Sequence, residues 1–168
     1  KDGRYIMFGW MGMPEEEALY PSAEDGWLFS LTVPRELTLQ DGMIYQKPVA
    51  ELSALRKQTS ERQVREISAY EYQSLLPELC EAKLAIHMGN ADHVKLLLAY
   101  GDERLMFCYD RLQQIMTIDR SGMKLGARGQ RSFRLAADNV LKLHLLVDRS
   151  AVEVFFQDGR EAASMLIF

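Results

Sequence analysis

The stretch LKLHLLVDRSAVEVFFQDG, residues 141–159, decides the fold. Its apolar side chains alternate as Leu141, Leu143, Leu145 and Val147, then as Val152, Val154 and Phe156. A period of two is the period of a strand, and the change from odd to even positions across Arg149-Ser150-Ala151 marks a turn. Asp158-Gly159 is a second turn, of the kind whose central residues need positive φ. With Glu161–Phe168 the region is therefore expected to form three antiparallel strands in succession. Such a meander needs a second apolar layer over its inner face, and the remaining residues must supply it.

A chain of 168 residues with 48% hydrophobic content can bury one sizeable core, or a small domain plus part of another. Its formal net charge of -4 argues against a nucleic-acid binder. Residues 1–50 hold four basic and eight acidic side chains, whereas residues 51–168 hold sixteen of each, so the composition changes near residue 50. No apolar run approaches the ~20 residues of a membrane-spanning helix. Lys1-Asp2-Gly3-Arg4 leads directly into an apolar run, as expected of a segment from inside a longer protein. Cys80 and Cys108 make neither a disulfide framework nor a metal quartet, which points to free thiols and the cytoplasm. Neither cofactor nor metal is expected.

In chain order, residues 4–10 read as a strand apolar on both faces, 11–26 as an acidic loop, and 27–33 as a second strand. Pro34-Arg35 interrupts it, with Arg35 available to a neighbouring carboxylate, and a hairpin through Asp41-Gly42 follows. Residues 49–57 change period and read as a short helix that connects two regions. Beyond it strands are expected at 63–69, 80–87, 94–100, 104–110, 115–119 and 133–137, ahead of the closing meander. Many short strands with little helical pattern describe an all-β sandwich of antiparallel strands.

Four pieces in this order, GRYIMFGWMG (3–12), WLFSLTVPRELTLQDGMIYQKPVAEL (27–52), Leu55-Arg56 and DRSAVEVFFQDG (148–159), resemble the C-terminal third of glycoside hydrolase family 32, the invertases, β-fructofuranosidases and sucrose-6-phosphate hydrolases. The resemblance implies a five-bladed β-propeller followed by a β-sandwich. Residues 1–48 then correspond to the last propeller blade, 49–60 to a linker with a short helix, and 61–168 to the sandwich. It further implies a retaining hydrolysis of β-fructofuranosides by an Asp nucleophile and a Glu acid on the propeller, with the two carboxyls about 5 Å apart. The Asn-Asp-Pro-Asn-Gly, Arg-Asp-Pro and Glu-Cys motifs that hold these groups are not in this sequence. No catalytic residue is carried over, and the portion itself is expected to be catalytically silent while it packs on its own propeller.

Trp10 is the candidate substrate-binding residue, because sugar C–H groups stack on an indole face and the matching family residue lines the fructose pocket. On the residues alone, a core tryptophan between blades is the commoner reading. Asp148 and Glu153 flank a turn and suggest a carboxylate pair, but both lie opposite the apolar alternation, where solvated ion pairs are ordinary. Arg120, Lys124, Arg128, Arg131 and Arg134 occur without an intervening acid; a solvated Gly-rich loop is favoured over an anion site. His87, His93 and His144 lack a third ligand in view, and Ser150 and Ser164 lack a nucleophile context. Two other readings fit the same pattern. One is a free-standing carbohydrate-binding sandwich using Tyr70, Tyr72 or Phe155, and the other is an oligomerisation module pairing through edge strands.

Overall fold

A computed structural model describes residues 2–15, 20–64, 73–126 and 128–168. The closing meander is present as expected: β11 (Val140–Val147), β12 (Ala151–Phe156) and β13 (Glu161–Leu166) pair antiparallel in sequence order. The turn after β12 holds Gln157, Asp158 and Gly159 at φ of 47°, 59° and 94°, so the positive-φ stretch extends one residue before Asp158. β6 (Cys80–His87) pairs with β11 and completes a four-stranded sheet in the order β13-β12-β11-β6.

The second layer is the sheet β10-β9-β8-β7. It consists of β7 (His93–Tyr100), β8 (Glu103–Asp110), β9 (Ile115–Gly122) and β10 (Gln130–Arg134). One core unites the inner faces: Leu105, Phe107 and Tyr109 of β8 and Met116 and Ile118 of β9 meet Leu141, Leu143, Leu145, Val152, Val154 and Phe156. Register makes this possible. Leu143 stands opposite both Phe156 and Leu84, and Leu145 opposite both Val154 and Ala82, so inward residues line up across three strands. The Tyr109 hydroxyl donates to the Leu135 carbonyl at 3.0 Å, which satisfies the polar atom of a buried ring. Leu135 and Ala137 reach the core from beyond β10 rather than from a strand at 133–137.

Ahead of the sandwich, β1 (Tyr5–Met7), β4 (Arg35–Gln40) and β5 (Met43–Pro48) form a sheet in the order β1-β4-β5, with the hairpin turning at Asp41-Gly42. β2 (Trp10–Met11) and β3 (Ser30–Leu31) make a separate two-stranded pair. The single strand expected over 4–10 is thus two, and most of 27–33 is not strand. The break has a specific cause. The Gly9 N–H donates 2.8 Å to the Thr32 hydroxyl while Thr32 N–H donates 2.8 Å to the Gly9 carbonyl, so a side chain takes a donor that a ladder would otherwise use. Ala50–Leu55 is a short 3-10 helix at the expected connector. Residues 63 and 64 are not in a strand, and 65–69 of the expected strand lie outside the described residues.

Strand β12 is buried at five consecutive positions, Val152 to Phe156, because both of its faces are covered. The sandwich core covers one. The other, which carries Glu153 and Phe155, receives Arg35 of β4 and the turn entering it. The β12–β13 turn also meets the first sheet. A Cβ on Gly159 would lie 2.1 Å from the Gln46 carbonyl oxygen, so only glycine suits both the contact and the φ there.

Candidate functional site

Trp10 stands on β2 opposite Leu31 and is 58% exposed. Its neighbour Met11 points the other way and is buried with Tyr20 and with Leu166 of β13. Gly12 has no side chain because the Phe29 ring occupies that space: a Cβ there would sit 2.3 Å from a ring carbon. Phe29 in turn meets the indole edge-on, at 5.2 Å between centroids and 83° between planes. The indole is thus held on one side and open on another, an arrangement able to stack on the C–H face of a sugar.

Glu153 is the main departure from the sequence reading. It is 4% exposed, not solvated. Oε2 accepts from Arg35 Nη2 at 2.5 Å, Oε1 accepts from the Val33 backbone N–H at 2.6 Å, and Ser164 donates to Oε2 at 3.3 Å. Arg35 also bonds the Ser164 hydroxyl, donates to Gln46 Oε1 at 2.9 Å, and lies 5.0 Å over the Phe155 ring. Alternation along β12 correctly put Glu153 and Phe155 opposite the core, but the first sheet covers that face. Arg35 does find a carboxylate, as its sequence position suggested. Asp148 remains exposed in the turn, where its carboxylate accepts from the Arg149 N–H at 2.7 Å. The two acids have different environments, Glu153 buried in an ion pair and Asp148 exposed in a turn.

A second polar group lies on the same outer face. Arg56, just past the 3-10 helix, grips Glu81 of β6 with Nε–Oε2 at 2.5 Å and Nη2–Oε1 at 2.7 Å. His144 Nε2 stands 2.8 Å from Glu81 Oε1. The Arg56 guanidinium, aided by His144, pulls the Glu81 pKa down to about 2. Burial pushes His144 below its usual value, against the pull of the carboxylate. At neutral pH the imidazole is therefore neutral and its Nε2–H donates to an ionised Glu81.

The basic run disperses. Arg120 donates to the Leu166 carbonyl at 2.6 Å, Lys124 pairs with Asp102 at 3.1 Å, Arg128 bonds the Lys124 carbonyl, and Arg131 donates to the Gln130 carbonyl. His87 and His93 are exposed, the latter 3.9 Å from Asp110. Among the described residues no three His, Cys, Asp or Glu side chains are grouped to hold a metal ion. Ser164 serves Arg35 and Glu153. Phe155 is 1% exposed and offers no platform to a sugar, while Tyr70 and Tyr72 lie outside the described residues. A polar cleft of about 420 Å³ opens between Gln40, Tyr45 and Lys47 of the β4–β5 hairpin and Asp138, Gln157 and Arg160 of the sandwich. No described helix is long and apolar enough to cross a membrane.

Residues 51–168 match the model for the C-terminal part of glycosyl hydrolases family 32, and residues 1–48 match that for the family's N-terminal domain. A probable sucrose-6-phosphate hydrolase of Vibrio cholerae is 34% identical over 99% of this chain and 29% of its own length. The sucrose-6-phosphate hydrolase of Salmonella typhimurium is 33% identical over 99% of the chain and 32% of its own length. Among solved structures, the sucrose-6-phosphate hydrolase of Lactobacillus gasseri superposes with a TM-score of 0.79 at 27% identity, covering 99% of this chain and 34% of that one. An exo-inulinase of Aspergillus awamori, at 21% identity, shares the fold with a TM-score of 0.80 over 100% of this chain and 36% of its own. The chain thus spans about a third of the length of these relatives.

Proposed function

The chain belongs to glycoside hydrolase family 32, and on that premise we propose that it is the C-terminal portion of a cytoplasmic, retaining β-fructofuranosidase that hydrolyses sucrose or sucrose 6-phosphate. In this reading residues 1–48 complete the last propeller blade, 49–60 link it to the sandwich, and 61–168 are the non-catalytic sandwich. The observation that carries it is the apolar surface that the N-terminal sheets leave uncovered although they are joined to the sandwich. Arg35, Met11 and the Gln46 carbonyl hold them against the sandwich, while Tyr5, Phe8, Trp10, Leu31 and Ile44 stand 76%, 57%, 58%, 60% and 59% exposed. That much exposed apolar surface on and between these two sheets is the surface that neighbouring blades would bury.

The chemistry belongs to carboxylates on those blades, with one attacking the fructosyl carbon and the other protonating the leaving oxygen. What these residues contribute is a wall for the fructose pocket, through the open face of Trp10, and a brace behind it. Both free cysteines suit a reducing compartment.

The test is release of glucose from sucrose, and of glucose 6-phosphate from sucrose 6-phosphate. This chain alone is expected to give none, while the full-length polypeptide turns over and its Trp10→Ala variant shows a raised KM. Turnover by residues 1–168 above a buffer blank, abolished by Asp148→Asn, would overturn the assignment and put an active site in this portion.

A further inference from the structure

We propose that the sandwich sets the position of the sugar-facing Trp10 through Leu166 and Phe168, so that these act as positioning residues for a pocket to which they do not belong. The inference rests on the reading of Trp10 as a substrate contact and adds a route by which a second domain controls it.

The route starts from a firmly held strand end. The Ile167 N–H donates 2.8 Å to the Ser150 carbonyl, and Arg120 Nη2 donates 2.6 Å to the Leu166 carbonyl, so residues 166 and 167 are tied to the sandwich on both sides. From this anchor two contacts cross to the N-terminal sheets. Leu166, 7% exposed, packs with Met11, the residue next to Trp10, and so fixes the backbone that carries the indole. Phe168 meets the buried Tyr20 at 5.9 Å and 88°, Tyr20 meets Phe29 at 5.5 Å and 84°, and Phe29 meets Trp10 at 5.2 Å and 83°.

Each step in this series is edge-to-face, the geometry that ring quadrupoles favour and that a rotated ring loses. A ring restrained on its edge by one neighbour restrains the next, and the Phe29 ring packs directly over Gly12, where a Cβ would lie 2.3 Å from a ring carbon. Trp27, which touches Phe168 at 6.4 Å, closes the cluster on its outer side. Without the sandwich strand Tyr20 and Met11 lose their cover, and the indole keeps only Phe29, itself unsupported. An unrestrained Trp10 must be ordered each time a sugar binds, at a cost in affinity.

In the full-length enzyme, Phe168→Ala is expected to raise KM for sucrose roughly three- to tenfold with kcat changed less than about twofold, the loss being of binding shared by ground and transition states. Phe168→Tyr, which keeps the ring edge, is expected to restore KM. In the 168-residue chain labelled with 5-fluorotryptophan, Phe168→Ala is expected to shift and narrow the Trp10 fluorine resonance, assigned through Trp27→Phe. Should Phe168→Ala fail to fold, Phe168→Leu keeps more of the apolar volume without the ring edge and carries the same two readouts. Trp10→Ala is measured alongside: if it leaves KM unchanged, the reading of Trp10 fails. If it raises KM while the Phe168 variants leave KM and the Trp10 resonance as in wild type, the positioning role is overturned and the reading of Trp10 stands.

Discussion

Replacing Glu153 by Gln tests the junction between the two regions. The substitution keeps the shape and leaves an amide oxygen for the Val33 N–H, but it removes the charge facing a guanidinium whose side chain is 6% exposed. A buried cation without its partner costs about 3–5 kcal/mol, against a total stability of about 5–15 kcal/mol for a domain of ordinary size. Arg35→Met should cost a similar amount, since it strands the carboxylate. The double variant should behave differently. The intact pair is itself expensive to bury, and Arg35 Nε has no hydrogen-bond partner among the described residues, so removing both charges at once also removes their desolvation. Arg35→Met with Glu153→Gln is therefore expected within about 2 kcal/mol of wild type, an interaction energy of about 4 kcal/mol or more between two groups in contact. Urea unfolding of the three variants at neutral pH, followed by tryptophan fluorescence, measures this. A Glu153→Gln penalty under about 1 kcal/mol, or a double variant equal to the sum of the singles, would refute the reasoning.

Gly159→Ala should destabilise by about 1–3 kcal/mol, through the positive φ and the clash with the Gln46 carbonyl, whereas Gly129→Ala, at nearly the same φ but in open space, should cost less; the difference between the two unfolding midpoints reports the clash with the first sheet. The Arg56–Glu81–His144 group predicts acid sensitivity. Both Glu81 and His144 have folded pKa values below their unfolded ones, so the unfolded chain binds more protons. Stability should be full above the ordinary histidine range, begin to fall as pH drops through it, and fall again from the usual glutamate range down toward about 2. His144→Gln should flatten the first decline in a pH series of unfolding curves, and an unchanged slope would show that another group titrates there.

Much of the fold was legible because strand patterns are local. The alternation of Leu141 to Phe156, its phase change and the Asp158-Gly159 turn each involve residues within a few positions of one another, and they specified three strands and their inward face. The break at residue 9 was not, since it depends on a hydroxyl 23 residues away. The candidate site divided in the same way. Trp10 was legible through the Gly-Trp piece of a family resemblance, while Tyr20, Phe29 and Phe168 carried no signal in sequence that would have joined them.

By itself, then, the sequence determined the strand periods, the turns, the layer that faces the sandwich core and the family to which the chain belongs. Only the tertiary structure decided which outward faces stay wet. Whether a carboxylate such as Glu153 is solvated or buried depends on whether another element comes to rest over its strand, and here that element is Arg35, 118 residues earlier in the chain. Alternation reports the side of a sheet on which a residue lies; what covers that side is set by contacts between elements far apart in sequence, where no local period reaches.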